Sequence, residues 1–74
     1  METLIKRRVE YCYISGAALK AQRKAAGLSQ QALADLIKAA TGIEVGKSAI
    51  WRMEHSFEFP TDVVMATTIQ KILS

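Results

Sequence analysis

Residues 47–55 read Lys-Ser-Ala-Ile-Trp-Arg-Met-Glu-His, which sets an ammonium, a hydroxyl, an indole and a guanidinium at helical spacing. On a helix, Ile50 and Met53 share one side, while Ser48, Trp51, Arg52 and His55 share the other, with Lys47 at the exposed first turn. The chemistry open to that second side is hydrogen-bond donation. Lys47 or Arg52 can donate to an acceptor pair such as O6 and N7 of guanine, arginine with the better fork, and one good bidentate contact discriminates by about 1 to 3 kcal/mol. Ser48 adds a short, adaptable donor. Trp51 is open to three readings: contact with a thymine methyl group, shielding of a phosphate contact, or packing on its own neighbours. A solvated charged face is the plainer reading of the same residues.

Other chemistries find little support. One histidine (His55), one cysteine (Cys12) and no paired acids on a plausible cleft argue against an enzyme. No group has metal-ligand spacing and no cofactor is expected. A single cysteine excludes an intrachain disulfide and fits a reducing compartment, with Cys12 a small buried thiol. No apolar run approaches the ~18 residues of a membrane span, and Glu10 interrupts the stretch after Lys6-Arg7-Arg8 that imitates a signal peptide. The expected location is the cytoplasm.

Half of the 74 residues are hydrophobic and 23% are charged, the balance of one small globular domain. The net charge of +3 is concentrated early: Lys6, Arg7, Arg8, Lys20, Arg23 and Lys24 face only Glu2 and Glu10. Residues 25–55 are balanced, so total charge says little about a polyanionic partner and position must decide.

The elements that must position these groups follow from local signals. Residues 1–14 form an N-terminal arm in which 1–8 are frayed and Val9–Ile14, rich in β-branched and aromatic residues, is a short strand. A lone strand must pair, and the same strand of a second subunit is an available partner. Residues 15–74 form the main domain. Ser15 caps a helix from Gly16 to Ala26, stopped by Gly27; Ser29 caps Gln30 to Ala40 or Thr41, stopped by Gly42, with Leu33, Ala34, Ile37 and Ala40 on one face. Gly46 opens a third helix, Lys47 to about His55. Leu28 with Leu33, and Val45 with Ile50, have the spacing of hydrophobic staples. Pro60 breaks the chain before a last helix, Asp62 to about Leu73, with Thr61 as its cap.

From Leu19 to about Leu73 the chain resembles the lambdoid repressor and Cro type of helix-turn-helix, the Xre family. The resemblance rests on Leu19, Arg23, Gly27-Leu28-Ser29-Gln30, Leu33-Ala34, Val45, Ser48, Ile50, Arg52 and Glu54, with Pro60 following at the family's usual distance. It implies an all-α, four-helix, lambda-repressor-like domain, here with a short N-terminal β-strand used for dimerisation. It also implies base reading by Lys47, Ser48 and Arg52, to which Trp51 is added, and phosphate contacts from Ser29, Gln30, Arg23, Gly46 and His55. Arg23 and Glu54 would form a semi-buried ion pair clamping the first helix to the third.

The chain departs from that family in two respects. The stretch between Ala34 and Glu54 is longer by about six residues, which predicts a second helix extended by a turn and a changed helix-to-helix angle. The fifth helix that commonly builds the family's dimer contact is also not expected here, since the last expected helix runs to about Leu73. The apolar last helix and the strand are expected to replace it, through Val9, Tyr11, Tyr13, Phe57, Phe59, Met65 and Ile72. Lys6, Arg7 and Arg8 are read either as an arm on phosphates or the minor groove, or as a solvated tail.

Three functions follow. One is a phage or prophage-type regulator, Cro-like or repressor-like, binding a palindromic double-stranded operator as a homodimer. Another is an antitoxin or accessory protein that grips a protein partner through the apolar last helix and strand. The third is an interaction module that no longer reads DNA.

Overall fold

A computed structural model describes residues 4–7 and 12–74, the side chains of Lys6 and Arg7 excepted. Four helices, α1 (Gly16–Ala25), α2 (Gln30–Thr41), α3 (Lys47–Glu54) and α4 (Val63–Leu73), carry most of the structure. Three short strands, β1 (Ile5–Arg7), β2 (Cys12–Ser15) and β3 (Glu58–Thr61), form one antiparallel sheet in the order β1-β2-β3.

The helices begin where their caps lie. The hydroxyls of Ser15 and Ser29 accept from the backbone N–H of Ala18 and Ala32, which satisfies one otherwise unpaired donor in each first turn. Gly27 and Gly42, at φ 74° and 75°, supply the left-handed residues that turn the chain after α1 and α2. At α4 the cap is Asp62, whose carboxylate accepts from Met65 N at 2.7 Å, so the helix starts one residue later than expected and Thr61 belongs to β3 instead.

The sheet corrects the reading of the N-terminal arm. Ile5, Lys6 and Arg7 pair with Ile14, Tyr13 and Cys12, so these residues are strand and not a frayed basic tail. On its other side β2 pairs with β3, from Cys12 opposite Thr61 to Ser15 opposite Glu58. With both of its edges covered inside the chain, β2 has no ladder left for a second subunit. Pro60 lies within β3 and not at a break; as an edge strand, β3 tolerates the missing N–H.

Ile14, Leu19, Leu33, Ile37, Ile50 and Ile69 are fully buried, one or two from each of β2, α1, α2, α3 and α4. Burial of each such side chain is worth about 1.5 to 3 kcal/mol, so this centre is what holds the four helices against the sheet. Leu28 and Val45 pack against it from the connections before α2 and α3, as the staples predict. Cys12 is buried, as expected, whereas Ala40 is exposed on the extended end of α2.

Met65 belongs to the core, at 7% exposure, and Phe59 and Ile72 pack against it. These three, expected at a dimer interface, instead close the monomer, where α4 packs on α2 and β2, while Val63 and Val64 at the start of α4 stay exposed. Tyr13 is half-buried in the central strand; Val9 and Tyr11 lie outside the described residues. Phe57, also expected at that interface, stands out in solvent, 91% exposed.

Candidate nucleic-acid interface

Helix α3 is held from behind. Ile50, Met53 and Glu54 are buried, and the Arg23 guanidinium of α1 meets the Glu54 carboxylate through Nε to Oε2 at 2.5 Å and Nη2 to Oε1 at 3.1 Å. Arg23 Nη1 donates to the carbonyl of Leu28 at 2.8 Å, and Gln30 Nε2 donates to Glu54 Oε1 at 3.2 Å. The Arg23–Glu54 pair thus ties α1, the connection before α2, the first residue of α2, and the last residue of α3. Burial opposes ionisation of Glu54, but the hydrogen bonds from Arg23 and Gln30 and the charges of Arg23 and Lys20 outweigh it, and the carboxyl is held below its usual range. The same pair raises the Arg23 pKa, chiefly through the hydrogen bond to Glu54.

Gly16 sets the contact between α1 and α3. A Cβ there would lie 2.1 Å from the carbonyl oxygen of Ser56, 2.6 Å from that of Met53 and 2.7 Å from that of Glu54. Only glycine lets the positive start of α1 abut the carbonyl-rich end of α3, an arrangement the helix dipoles favour.

The opposite face of α3 is open. Lys47, Ser48, Trp51, Arg52 and His55 are all exposed, and the side chains of Lys47, Ser48 and Arg52 have no partner within the described residues. Together with Gln30 they line a shallow depression, chiefly of carbon, at the start of the helix, which brings the first residue of α2 beside the first two turns of α3. The Trp51 indole stacks on the His55 imidazole with centroids 3.9 Å apart and planes 19° from parallel, and His55 Nδ1 lies 2.8 Å from the Trp51 carbonyl oxygen. Of the three readings of Trp51, packing on a neighbour describes one part of the ring; 51% of the residue remains in solvent.

The expected phosphate ligands divide into two groups. Arg23 is 8% exposed and all three of its nitrogens donate inside the chain, so it serves the clamp and does not present its charge to a phosphate. Gln30 spends one N–H on Glu54, an engagement that the sequence reading missed because only the fold brings these residues together. Ser29, Gly46 and His55 lie on the surface. Gly46 caps α3 without a side-chain acceptor, and the Ser29 hydroxyl oxygen is used as a cap while its proton stays available.

No protein-family model, curated protein or solved structure matches the chain.

Residues 42–46 connect α2 to α3. Thr41 Oγ1 donates back to Ile37 O and accepts from Ile43 N, Gly42 turns the chain, and an exposed Lys38–Glu44 ion pair at 2.9 Å spans the connection. The Lys38 pKa is raised by the hydrogen bond and charge of Glu44. Among the described residues no cluster of His, Cys, Asp or Glu has the geometry to hold a metal ion, and no helix is long and apolar enough to cross a membrane.

Proposed function

We propose that the chain is a sequence-specific DNA-binding regulator of transcription, of the lambdoid repressor and Cro type. In this reading α2 and α3 are the helix-turn-helix, α2 crosses the sugar-phosphate backbone, and α3 lies in the major groove, whose width of about 12 Å admits one helix. The observation that carries it is the two-sidedness of α3: Ile50, Met53 and Glu54 are anchored, while Lys47, Ser48 and Arg52 are exposed donors without partners among the described residues. Donors left free on an exposed helix face are suited to base edges and phosphates. Lys47, Ser48 and Arg52 read bases; the backbone at Gly46, the hydroxyl of Ser29, the second amide N–H of Gln30, and His55 contact phosphates.

Two copies acting on a palindromic operator follow from the small reach of one helix, since a second head about one DNA turn away doubles the contact. The surface for self-association is then built from what the monomer leaves exposed, Phe57 with Val63 and Val64, and not from Met65, Phe59 or Ile72. Selection of bound sequences from random duplexes tests both points. A palindromic enriched motif supports reading and two-fold symmetry together. Recovery of no preferred sequence, or footprinting with no protected duplex, rejects the reading; sedimentation as a monomer with and without duplex removes the dimer.

The near-complete exposure of Phe57 favours a second reading, an accessory protein or antitoxin that grips another chain. It predicts partner binding that Lys47→Ala and Arg52→Ala leave unchanged while Phe57→Ala abolishes it.

A further inference from the structure

Among the exposed side chains of α3, Trp51 is the one that is mostly carbon: an indole with a single N–H donor, 51% exposed, beside Lys47, Ser48 and Arg52 at the carbon-lined depression. A solvated tryptophan is a poor choice for a face meant only to meet water or phosphate. Its orientation is also constrained, because one ring face rests on His55 at 3.9 Å and the His55 ring is tied to the same turn through Nδ1 and the Trp51 carbonyl oxygen. The indole is therefore presented as an oriented plate of carbon beside Gln30, Lys47, Ser48 and Arg52, which line the same depression.

The major groove offers one apolar group, the C5-methyl of thymine; every other base edge there presents a donor or an acceptor. Cytosine at the same place turns an N4 amino group toward the plate, and that donor finds no acceptor on an indole face stronger than the water it gave up. We infer that Trp51 reads the C5-methyl group of a thymine in the major groove, with His55 as the positioning residue that sets the plane of the indole. This rests on the DNA-binding reading above and adds the base identity that the exposed indole of α3 selects.

The test uses the duplex recovered from the random pool, remade with each thymine in turn replaced by uracil, which differs by the methyl group alone. For the unaltered protein, uracil at one thymine in each half-site weakens binding about fourfold, the transfer worth of one buried methyl-sized group. Trp51→Ala binds the thymine and uracil duplexes equally, and His55→Ala narrows the difference without abolishing it. Equal binding of the thymine and uracil duplexes at every position by the unaltered protein overturns the inference, and so does a difference that survives in Trp51→Ala. A duplex that is recovered and depends on Lys47 and Arg52, yet is indifferent to uracil, rejects this inference alone. Recovery of no duplex rejects it together with the reading on which it rests. The base replacement leaves the protein untouched, so the folding of any variant does not decide the result.

Discussion

Arg23 and Glu54 meet through two hydrogen bonds, Nε to Oε2 and Nη2 to Oε1, and the same guanidinium closes on the Leu28 carbonyl, so the pair joins three segments of the chain at one point. Both residues are buried, at 8% and 7% exposure. Such a pair contributes more to orientation than to net stability, because desolvation offsets much of the attraction, but breaking it leaves a buried charge uncompensated. Glu54→Ala is expected to lower the unfolding free energy by about 3 kcal/mol in denaturant titration. A loss below about 1 kcal/mol would mean that the pair is solvated and holds nothing in place.

Acid should expose the same interaction. The Glu54 carboxyl is depressed in the folded state, so the unfolded chain takes up its proton first as pH falls. The contribution is fully present above the usual carboxylate range, about pH 4.3, and is lost as pH drops through the lower folded value. Glu54→Gln, which cannot ionise, should flatten the fall in stability over that window; melting curves from pH 6 down to pH 2 read the difference.

At Gly16 the limit is steric. Gly16→Ala places a Cβ against three backbone carbonyls that cannot rotate away, and overpacking of this kind costs about 1 to 3 kcal/mol. For a domain of this size each kcal/mol lowers the melting temperature by about 4 to 8 °C. Gly46→Ala meets nothing within 4 Å and is expected to shift stability by less than about 1 kcal/mol, which makes it the matched control.

Ser29 separates a structural duty from a binding one. Ser29→Ala removes the cap on Ala32 N and should cost about 1 kcal/mol. Ser29→Asp restores the cap, and its charge suits a helix start, so stability should return. If the hydroxyl also meets a phosphate, Ser29→Asp will bind duplex more weakly than Ser29→Ala despite being the more stable of the two. The opposite ranking would take Ser29 off the phosphate backbone.

Lys47 and Arg52 are exposed and without side-chain partners among the described residues, so replacing either with alanine should change stability by no more than about 0.5 kcal/mol. The expected loss is in sequence preference: each variant relaxes selection at the base it reads by about 1 to 3 kcal/mol. Identical enriched motifs for the unaltered protein and both variants would show that α3 does not face bases.

The starts and stops of α1, α2 and α3 were legible in the chain because their causes act within a turn or so: Ser15 and Ser29 bind an N–H three residues on, and Gly27 and Gly42 take backbone angles that few other residues accept. Helical spacing likewise sorted Ile50 and Met53 inward and Lys47, Ser48, Trp51 and Arg52 outward. Strands β1 and β3 were not legible. Their ladders join residues far apart in sequence, such as Cys12 and Thr61, and neither Ile5–Arg7 nor the Pro60-containing Glu58–Thr61 carries a periodicity of its own. Once the sheet exists it decides the rest: β2 has no free edge, Phe59 turns inward, and Met65 and Ile72 are claimed by the monomer. Arg23 and Gln30 are settled in the same way, because a side chain's commitment depends on which acceptor the fold brings within reach. Local backbone preference therefore placed the helices and their outward face, and long-range pairing alone decided which polar and apolar groups remain for a partner.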